Sequence, residues 1–164
     1  AMPAPTTRVL FVCLGNICRS PAAEGIFLQL LDHRGLQAHF EVDSAGTGSW
    51  HVGRRADPRM RAAAERRGID LPSRARQLVP GDLRHYDLIL TMDGDNLAAV
   101  RHLARQTAPT ATITPITAYC RRPGPADVPD PYYGGAQGFE QVLDLLEDAC
   151  RGLLDQLHPP ATKG

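Results

Sequence analysis

Cys13 and Arg19 bracket the run Cys13-Leu14-Gly15-Asn16-Ile17-Cys18-Arg19-Ser20. The run follows an apolar stretch, Val9-Leu10-Phe11-Val12, and precedes Pro21-Ala22-Ala23-Glu24, which reads as a helix start. A strand, a tight loop and a helix N-terminus in succession form an anion cradle, because backbone N–H groups and the positive end of the helix converge on one point. The thiol at its mouth is a nucleophile. The guanidinium at its far end can grip two oxygens of a tetrahedral oxyanion at once, which a lysine cannot. Only roughly 1–10% of a free cysteine is thiolate at neutral pH. The helix N-terminus, inward N–H groups and Arg19 all favour that reactive form. Gly15 permits close backbone approach and Asn16 tolerates a left-handed conformation, so the loop can curl around one centre. Ser20 has two readings: it caps the helix, with Pro21 in the first turn, or it donates its hydroxyl to the sulfur. A lone strand-end cysteine is usually a small buried hydrophobe; the Cys-x5-Arg-Ser spacing between strand and helix reverses that reading. A cation is disfavoured at a helix N-terminus, so Arg19 calls for an anionic partner.

Phosphoryl transfer from an ester also needs a proton for the leaving oxygen. Asp127 and the segment Pro129-Asp130-Pro131-Tyr132-Tyr133-Gly134-Gly135 offer one. The flanking prolines stiffen the backbone around Asp130, and the tyrosines offer aromatic walls for a flat substrate. Alone, this segment reads as a proline-bracketed turn with a surface aspartate; the Cys13 loop in the same chain raises it to a candidate acid. Trp50, the only tryptophan, lies in a Gly- and Ser-containing loop, and a cleft wall is as plausible there as a core position. Cys18 is either a buried thiol under the loop or a resolving partner that forms a reversible disulfide with Cys13. Asp93 reads as a helix N-cap that also tethers nearby basic groups. Cys120 and Cys150 read as packing residues. The six histidines make no ligand set and read as surface or structural groups. Arg54, Arg55, Arg59, Arg61, Arg66 and Arg67 read most simply as a solvated helix face, with Arg54 and Arg55 placed to attract an acidic phosphopeptide.

The elements that must position these residues alternate. Strands are expected at 8–12, 40–45, 87–92 and 110–116, the last at a sheet edge because of Pro115. Helices are expected at 21–34, stopped by Gly35, from Asp57-Pro58 to Gly68, at 93–106 and at 139–157, with a helical turn near 80–85. The last helix places Phe139, Val142, Leu143, Leu146, Ala149, Cys150, Leu153 and Leu154 on one face. Such alternation implies an α/β fold with a parallel sheet and helices on both faces, and ligands bind beyond the carboxyl ends of its strands. The Cys13 loop stands at such an end. The Pro- and Gly-rich loop 117–138 is long for a compact domain, and loops of that length are often functional.

At 164 residues the chain can bury a core as one domain, expected over 8–158 with flexible ends at 1–7 and 159–164. Ala1 before Met2 reads as a cloning remnant. Hydrophobic content of 43% and charged content of 22% exclude a disordered chain. A formal net charge of zero gives nucleic acid and acidic membranes no general attraction. No apolar run approaches the roughly 18 residues that span a bilayer, and no signal-peptide core is present. Four cysteines at this length read as reduced thiols in a cytoplasmic protein, and no Cys-x-x-C or His-x-x-x-His pair suggests zinc.

The chain resembles the low-molecular-weight protein tyrosine phosphatases over nearly its whole length. The resemblance rests on C-L-G-N-I-C-R-S-P, on Asp43-Ser44-Ala45-Gly46-Thr47, on Thr91-Met92-Asp93 and on D-P-Y-Y-G, in matching order and spacing. It implies a three-layer fold with a four-stranded parallel sheet, flavodoxin-like or phosphotyrosine phosphatase I-like. It implies Cys13 as the nucleophile that forms a phosphocysteine, Arg19 as the phosphoryl clamp, and Asp130 as general acid and then base. Leu14, Gly15, Asn16, Ile17, Cys18 and Ser20 complete the phosphate-binding loop, with Ser20 stabilising the thiolate. Asn16 and Ser44 form a supporting network, and Trp50, Tyr132 and Tyr133 form the cleft walls. Family members also use the Cys13–Cys18 pairing as a redox switch. No metal or organic cofactor is implied. The expected partners are a tyrosine-phosphorylated protein substrate, a cognate tyrosine kinase among the candidates, and inorganic phosphate or another oxyanion. Many members carry a histidine where Ser73 falls, so either the Ser73 hydroxyl or a water is the expected substitute in holding Asn16. The competing functions are a thiol-dependent arsenate reductase, which needs relay cysteines that Cys120 and Cys150 do not obviously supply; a protein arginine phosphatase, whose branch carries Thr in place of Ile17; and an idle phosphate-binding module, which the presence of Cys13, Arg19 and Asp130 does not support.

Overall fold

The computed structural model describes residues 6–160. Four parallel strands, β1 (Thr7–Cys13), β2 (Phe40–Gly46), β3 (Leu88–Thr91) and β4 (Thr112–Pro115), form one sheet in the order β2-β1-β3-β4. Five helices connect and close it: α1 (Arg19–Arg34), α2 (Pro58–Glu65), α3 (Asp82–His85), α4 (Gly94–Ala104) and α5 (Ala136–Leu157). The strand, helix and three-layer expectations hold. Of the ends expected to be flexible, 1–5 and 161–164 lie outside the described residues, while Thr7 already pairs with Phe40 in the sheet.

β1 is central and apolar on both faces, as a parallel strand covered on both sides must be. Its residues alternate between two cores. Val9, Phe11 and Cys13 pack with α1 and α5, against Phe27, Phe139 and Leu146 among others. Leu10 and Val12 pack with Leu83, Ile89 and Val100 on the opposite face. The whole predicted apolar face of α5 is buried, and each large side chain so removed from water contributes about 1.5–3 kcal/mol. Gly152 lets α5 press onto the turn Ile116–Tyr119, where a β-carbon would come within 1.9 Å of the Tyr119 carbonyl oxygen.

The boundaries differ from expectation at a few ends. α1 begins at Arg19, two residues early, with Cys18 at its N-cap and no side-chain cap. Ser20 is therefore inside the first turn, and its capping role is not realised. Gly35 closes α1 in the left-handed conformation. α2 stops at Glu65, and Gly68 ends the following turn at φ 73°. Asp57 caps α2 by accepting from the Arg59 N–H at 2.8 Å, and Asp93 caps α4 in a reciprocal box with Asn96. β4 is an edge strand, like β2, and Pro115 there leaves no ladder partner wanting. The long loop is shorter than 117–138, because Ile116–Tyr119 turn and Ala136 already opens α5. The register brings the ends of β2, β1 and β3 together: Cys13 lies opposite Gly46, and Val12 opposite both Ala45 and Thr91.

Candidate active site

The phosphate loop leaves β1 at Cys13 and enters α1 at Arg19. Asn16 sits at its bend with φ 57°, the left-handed conformation expected of it. Its N–H points at the Cys13 sulfur from 3.3 Å, and the Ser20 hydroxyl lies 3.0 Å from the same sulfur. Gly46, at the end of β2, allows the loop this close, since a β-carbon there would lie 2.8 Å from the Leu14 carbonyl oxygen.

Hydrogen-bond directions around Asn16 are determined. Its Oδ1 accepts from the Arg76 backbone N–H at 3.0 Å, which makes its Nδ2 the donor. Nδ2 gives to Ser20 Oγ at 2.7 Å and Ser44 Oγ at 3.0 Å. Ser44 in turn donates to Glu24 Oε1 at 2.5 Å. Ser20 Oγ therefore accepts from Asn16 and has its own hydrogen free for the Cys13 sulfur. Asn16, Ser20, Ser44 and Glu24 are all buried, so each bond in this chain is costly to lose. Burial pushes the Glu24 carboxyl above its ordinary pKa, Asp43 adds to the shift, and Ser44, Ser73 and Arg76 oppose it. Ser73 is one of the groups that oppose the rise at Glu24, while the Oδ1 of Asn16 is held by the Arg76 N–H. The place expected for Ser73 is taken by the Arg76 backbone, which the Arg76 side chain secures by gripping Asp43 and Asp82.

Arg19 is only 2% exposed. Its anionic partners are now visible: Nη1 bonds Asp93 Oδ2 at 2.6 Å and the Val128 carbonyl at 3.1 Å, and Nη2 lies 3.6 Å from Asp130 Oδ2. Burial opposes its charge, but Cys13, Asp93 and Asp130 outweigh burial and hold its pKa above the ordinary value. Asp93 suffers the same burial, and Arg19 with the Asn96 N–H keeps its carboxyl below the usual range. Asp93 both caps α4 and tethers Arg19, as expected. Cys18 is buried beneath the loop, and burial, followed by Asp57, Cys13 and Asp130, pushes its thiol well up.

Asp130 is accessible, its side chain 39% exposed. Its Oδ1 accepts from the Tyr132 N–H at 3.1 Å. It shares a cleft of about 370 Å³ with Cys13, Leu14, Gly15, Ile17, Cys18 and Arg19. Trp50, Tyr132 and Tyr133 wall this cleft, and Trp50 is 71% exposed rather than a core residue. Asp127 is exposed and lines no part of it. Cys150 is buried on α5, and Cys120 is half-buried against Leu145.

Several contributors escaped the sequence. His51, read there as surface or structural, lines the cleft, with its ring 6.0 Å from that of Tyr132 and against Gly15. Glu24 had a usable signal, since it stands four residues after Ser20 on the same helix face. Arg76 had none. Arg54, Arg55, Arg59 and Arg66 are exposed, as a solvated face requires, but Arg66 and Arg67, just past α2, also pair with Glu140, and Arg67 reaches Asp144 and Glu147 on α5. Among the described residues no three His, Cys, Asp or Glu side chains are grouped to hold a metal ion. No described helix is long and apolar enough to cross a membrane.

The family model for low molecular weight phosphotyrosine protein phosphatase matches residues 8–162. The chain belongs to that family. A low molecular weight protein-tyrosine-phosphatase of Streptomyces coelicolor is 44% identical over 151 residues, 91% of this chain and 92% of that one. Among solved structures, a protein tyrosine phosphatase from Entamoeba histolytica superposes with a TM-score of 0.86 at 40% identity, covering 93% of this chain and 97% of the other. A Drosophila arginine phosphatase superposes with a TM-score of 0.87 at 33% identity, over 92% and 98% of the two chains. The phosphatase fold and family are thus secure, and the choice of ester falls to the cleft.

Proposed function

We propose that this protein hydrolyses phosphotyrosine in proteins, and small aryl phosphates, through a phosphocysteine on Cys13. The observation that carries the reading is the convergence of Cys13, Arg19 and Asp130 on one aromatic-walled cleft. The Cys13 thiolate attacks phosphorus as the aryl oxygen departs, and the Asp130 carboxyl gives that oxygen its proton. Arg19 and the loop N–H groups hold the phosphoryl oxygens throughout. The Asp130 carboxylate then takes a proton from water, which attacks phosphorus and expels the sulfur, releasing inorganic phosphate. The Ser20 hydroxyl, already directed at the sulfur, stabilises it as a leaving thiolate. Leu14, Gly15, Ile17 and Cys18 shape the loop, and Trp50, Tyr132 and Tyr133 flank a flat ring. The branched apolar Ile17 in the cleft supports an aromatic ester over a guanidinium phosphate.

One domain over 8–158 carries the activity. The expected partners are a tyrosine-phosphorylated protein in the cytoplasm, with a cognate tyrosine kinase among the candidates, and oxyanions such as phosphate. Arg54 and Arg55, exposed on the loop that carries Trp50, are placed to attract acidic residues near the phosphotyrosine.

A panel of phosphotyrosine, phosphoserine and phosphoarginine peptides, together with arsenate, tests the reading. Turnover of phosphotyrosine alone is expected, abolished in Cys13→Ser. Preferred turnover of phosphoarginine or arsenate, or full activity in Cys13→Ser, would overturn it. Cys18 is proposed as the partner that traps an oxidised Cys13 in a disulfide. Peroxide should inactivate the protein reversibly, with thiol restoring activity, and irreversibly in Cys18→Ala. Equal recovery of both would remove Cys18 from that role.

A further inference from the structure

The acid loop, residues 120–135, is attached to the molecule unevenly. Its first half is anchored where the Val128 N–H bonds the Met92 carbonyl at 2.7 Å and Arg19 bonds the Val128 carbonyl. Beyond Val128, among the described residues, one side-chain hydrogen bond reaches the loop from outside it, Arg59 Nη2 to the Tyr132 carbonyl at 3.0 Å; the Gly138 N–H bonds the Gly135 carbonyl where α5 begins, and Arg19 faces Asp130 at 3.6 Å.

Arg59 does more than touch the loop. Its guanidinium grips Asp57 with two nitrogens, Nε to Oδ1 at 3.1 Å and Nη2 to Oδ2 at 2.9 Å. The Asp57 N–H bonds the Ile17 carbonyl of the phosphate loop at 2.8 Å. The guanidinium carbon also stands 5.4 Å from the Tyr132 ring centre and 4.8 Å from that of Phe139, the latter in the first turn of α5. Tyr132 is the residue whose N–H holds Asp130 Oδ1. A continuous chain of bonds thus runs from Ile17 through Asp57, Arg59 and Tyr132 to Asp130.

We infer that Arg59 is a positioning residue for hydrolysis: it fixes the distance between the phosphate loop and the acid loop, aiming Asp130 and the Tyr132 wall at the phosphoryl group. The inference rests on the assignment of Asp130 as general acid. A planar guanidinium suits the task because one fork serves a carboxylate, a carbonyl and two ring faces together. A lysine offers a point charge and cannot keep all four contacts.

The test compares Arg59→Ala and Arg59→Lys with Asp130→Asn and the double variant Asp130→Asn/Arg59→Ala, in the full chain. kcat/KM is read on phenyl phosphate, a poor leaving group, and on 2,4-dinitrophenyl phosphate, a good one; inorganic phosphate serves as the probe of the phosphate loop. Arg59→Ala is expected to lower kcat/KM about 10-fold on phenyl phosphate and less than about 3-fold on the dinitrophenyl ester, a fraction of what loss of the acid itself costs. The inhibition constant of phosphate should stay within about 2-fold, and Arg59→Lys should keep most of the defect. In the Asp130→Asn background the Arg59→Ala effect should nearly vanish, the non-additivity expected of residues acting through one group. Equal losses on both esters, weakened phosphate binding, or a full Arg59 effect without Asp130 would each overturn the inference. If Asp130→Asn itself shows no dependence on the leaving group, the acid assignment fails instead. Should Arg59→Ala not fold, Arg59→Lys carries the same comparison.

Discussion

The phosphate loop and the acid loop meet in one cleft, yet they are built on opposite terms. In the first, Asn16, Arg19 and Ser20 are buried, and every polar side chain has a partner drawn from β2, α1, α4 or the segment around Arg76. In the second, Asp130 is accessible, Tyr133 is almost fully exposed, and the half beyond Val128 is held by Arg59, by the Arg19–Asp130 ion pair and by its own short turns. The difference follows from their tasks. Donors aimed at a phosphoryl group work only if they do not reorganise during reaction, and burial within a saturated network gives that rigidity. A proton donor must stand where the leaving group arrives and departs, so it has to face solvent and depend on few fixed contacts.

Replacing Asp130 by Asn tests the accessible half and should have the largest effect of the three changes considered. kcat/KM on phenyl phosphate should fall about 100- to 1,000-fold, within the usual range for a general acid. Phosphate should still inhibit with nearly its original constant. Equal losses for good and poor leaving groups would remove Asp130 from the acid role and leave the contrast between the loops without a chemical meaning.

Ser44→Ala probes the buried half. It takes from Glu24 its Ser44 donor and from Asn16 one acceptor. Stability should drop by about 1–3 kcal/mol, read by urea unfolding, and turnover should fall about 10-fold, equivalent to about 1.4 kcal/mol in the barrier. Unchanged turnover would mean that the loop keeps its shape without this bond.

Glu24→Gln should matter least, since the amide oxygen can still accept from Ser44. Its signature is in pH. The folded carboxyl titrates above its ordinary value, chiefly through burial. Its ionisation therefore penalises the fold, and stability declines as pH rises from the ordinary carboxylate range through the raised value. The Gln variant should lack that decline in thermal melts between pH 4 and 7. Parallel profiles would show that the buried carboxyl ionises without cost.

Legibility in the sequence divides along the same line. The phosphate loop is contiguous, so Cys13, Gly15, Asn16, Arg19 and Ser20 announce themselves by spacing, and the alternation of strands and helices already places them at a strand end. Its supports are not contiguous. The bond from the Arg76 backbone to Asn16 spans 60 positions and uses no distinctive side chain, so no motif could carry it. Arg59 is illegible for another reason. Arginines grouped on a helix are usually solvated, and only the packing of α2 against α5 and the acid loop reveals Arg59 between two rings. His51 forms no ligand set that spacing could announce; its contribution is a ring face in the cleft that Trp50 also lines.

The side chain of Arg19 ties together stretches of chain that are made at very different times. Its partners Asp93 and Val128 follow it by 74 and 109 positions. During synthesis, β1, the nucleophile and its clamp emerge first, while the groups that neutralise the buried guanidinium are still unmade. Contacts of such separation form late, after the entropy of closing long loops has been met. A nascent chain shorter than the acid loop therefore carries the thiol and the cation without the frame that aims them. Catalytic competence arrives with the acid loop and α5, as one event with the closing of the fold.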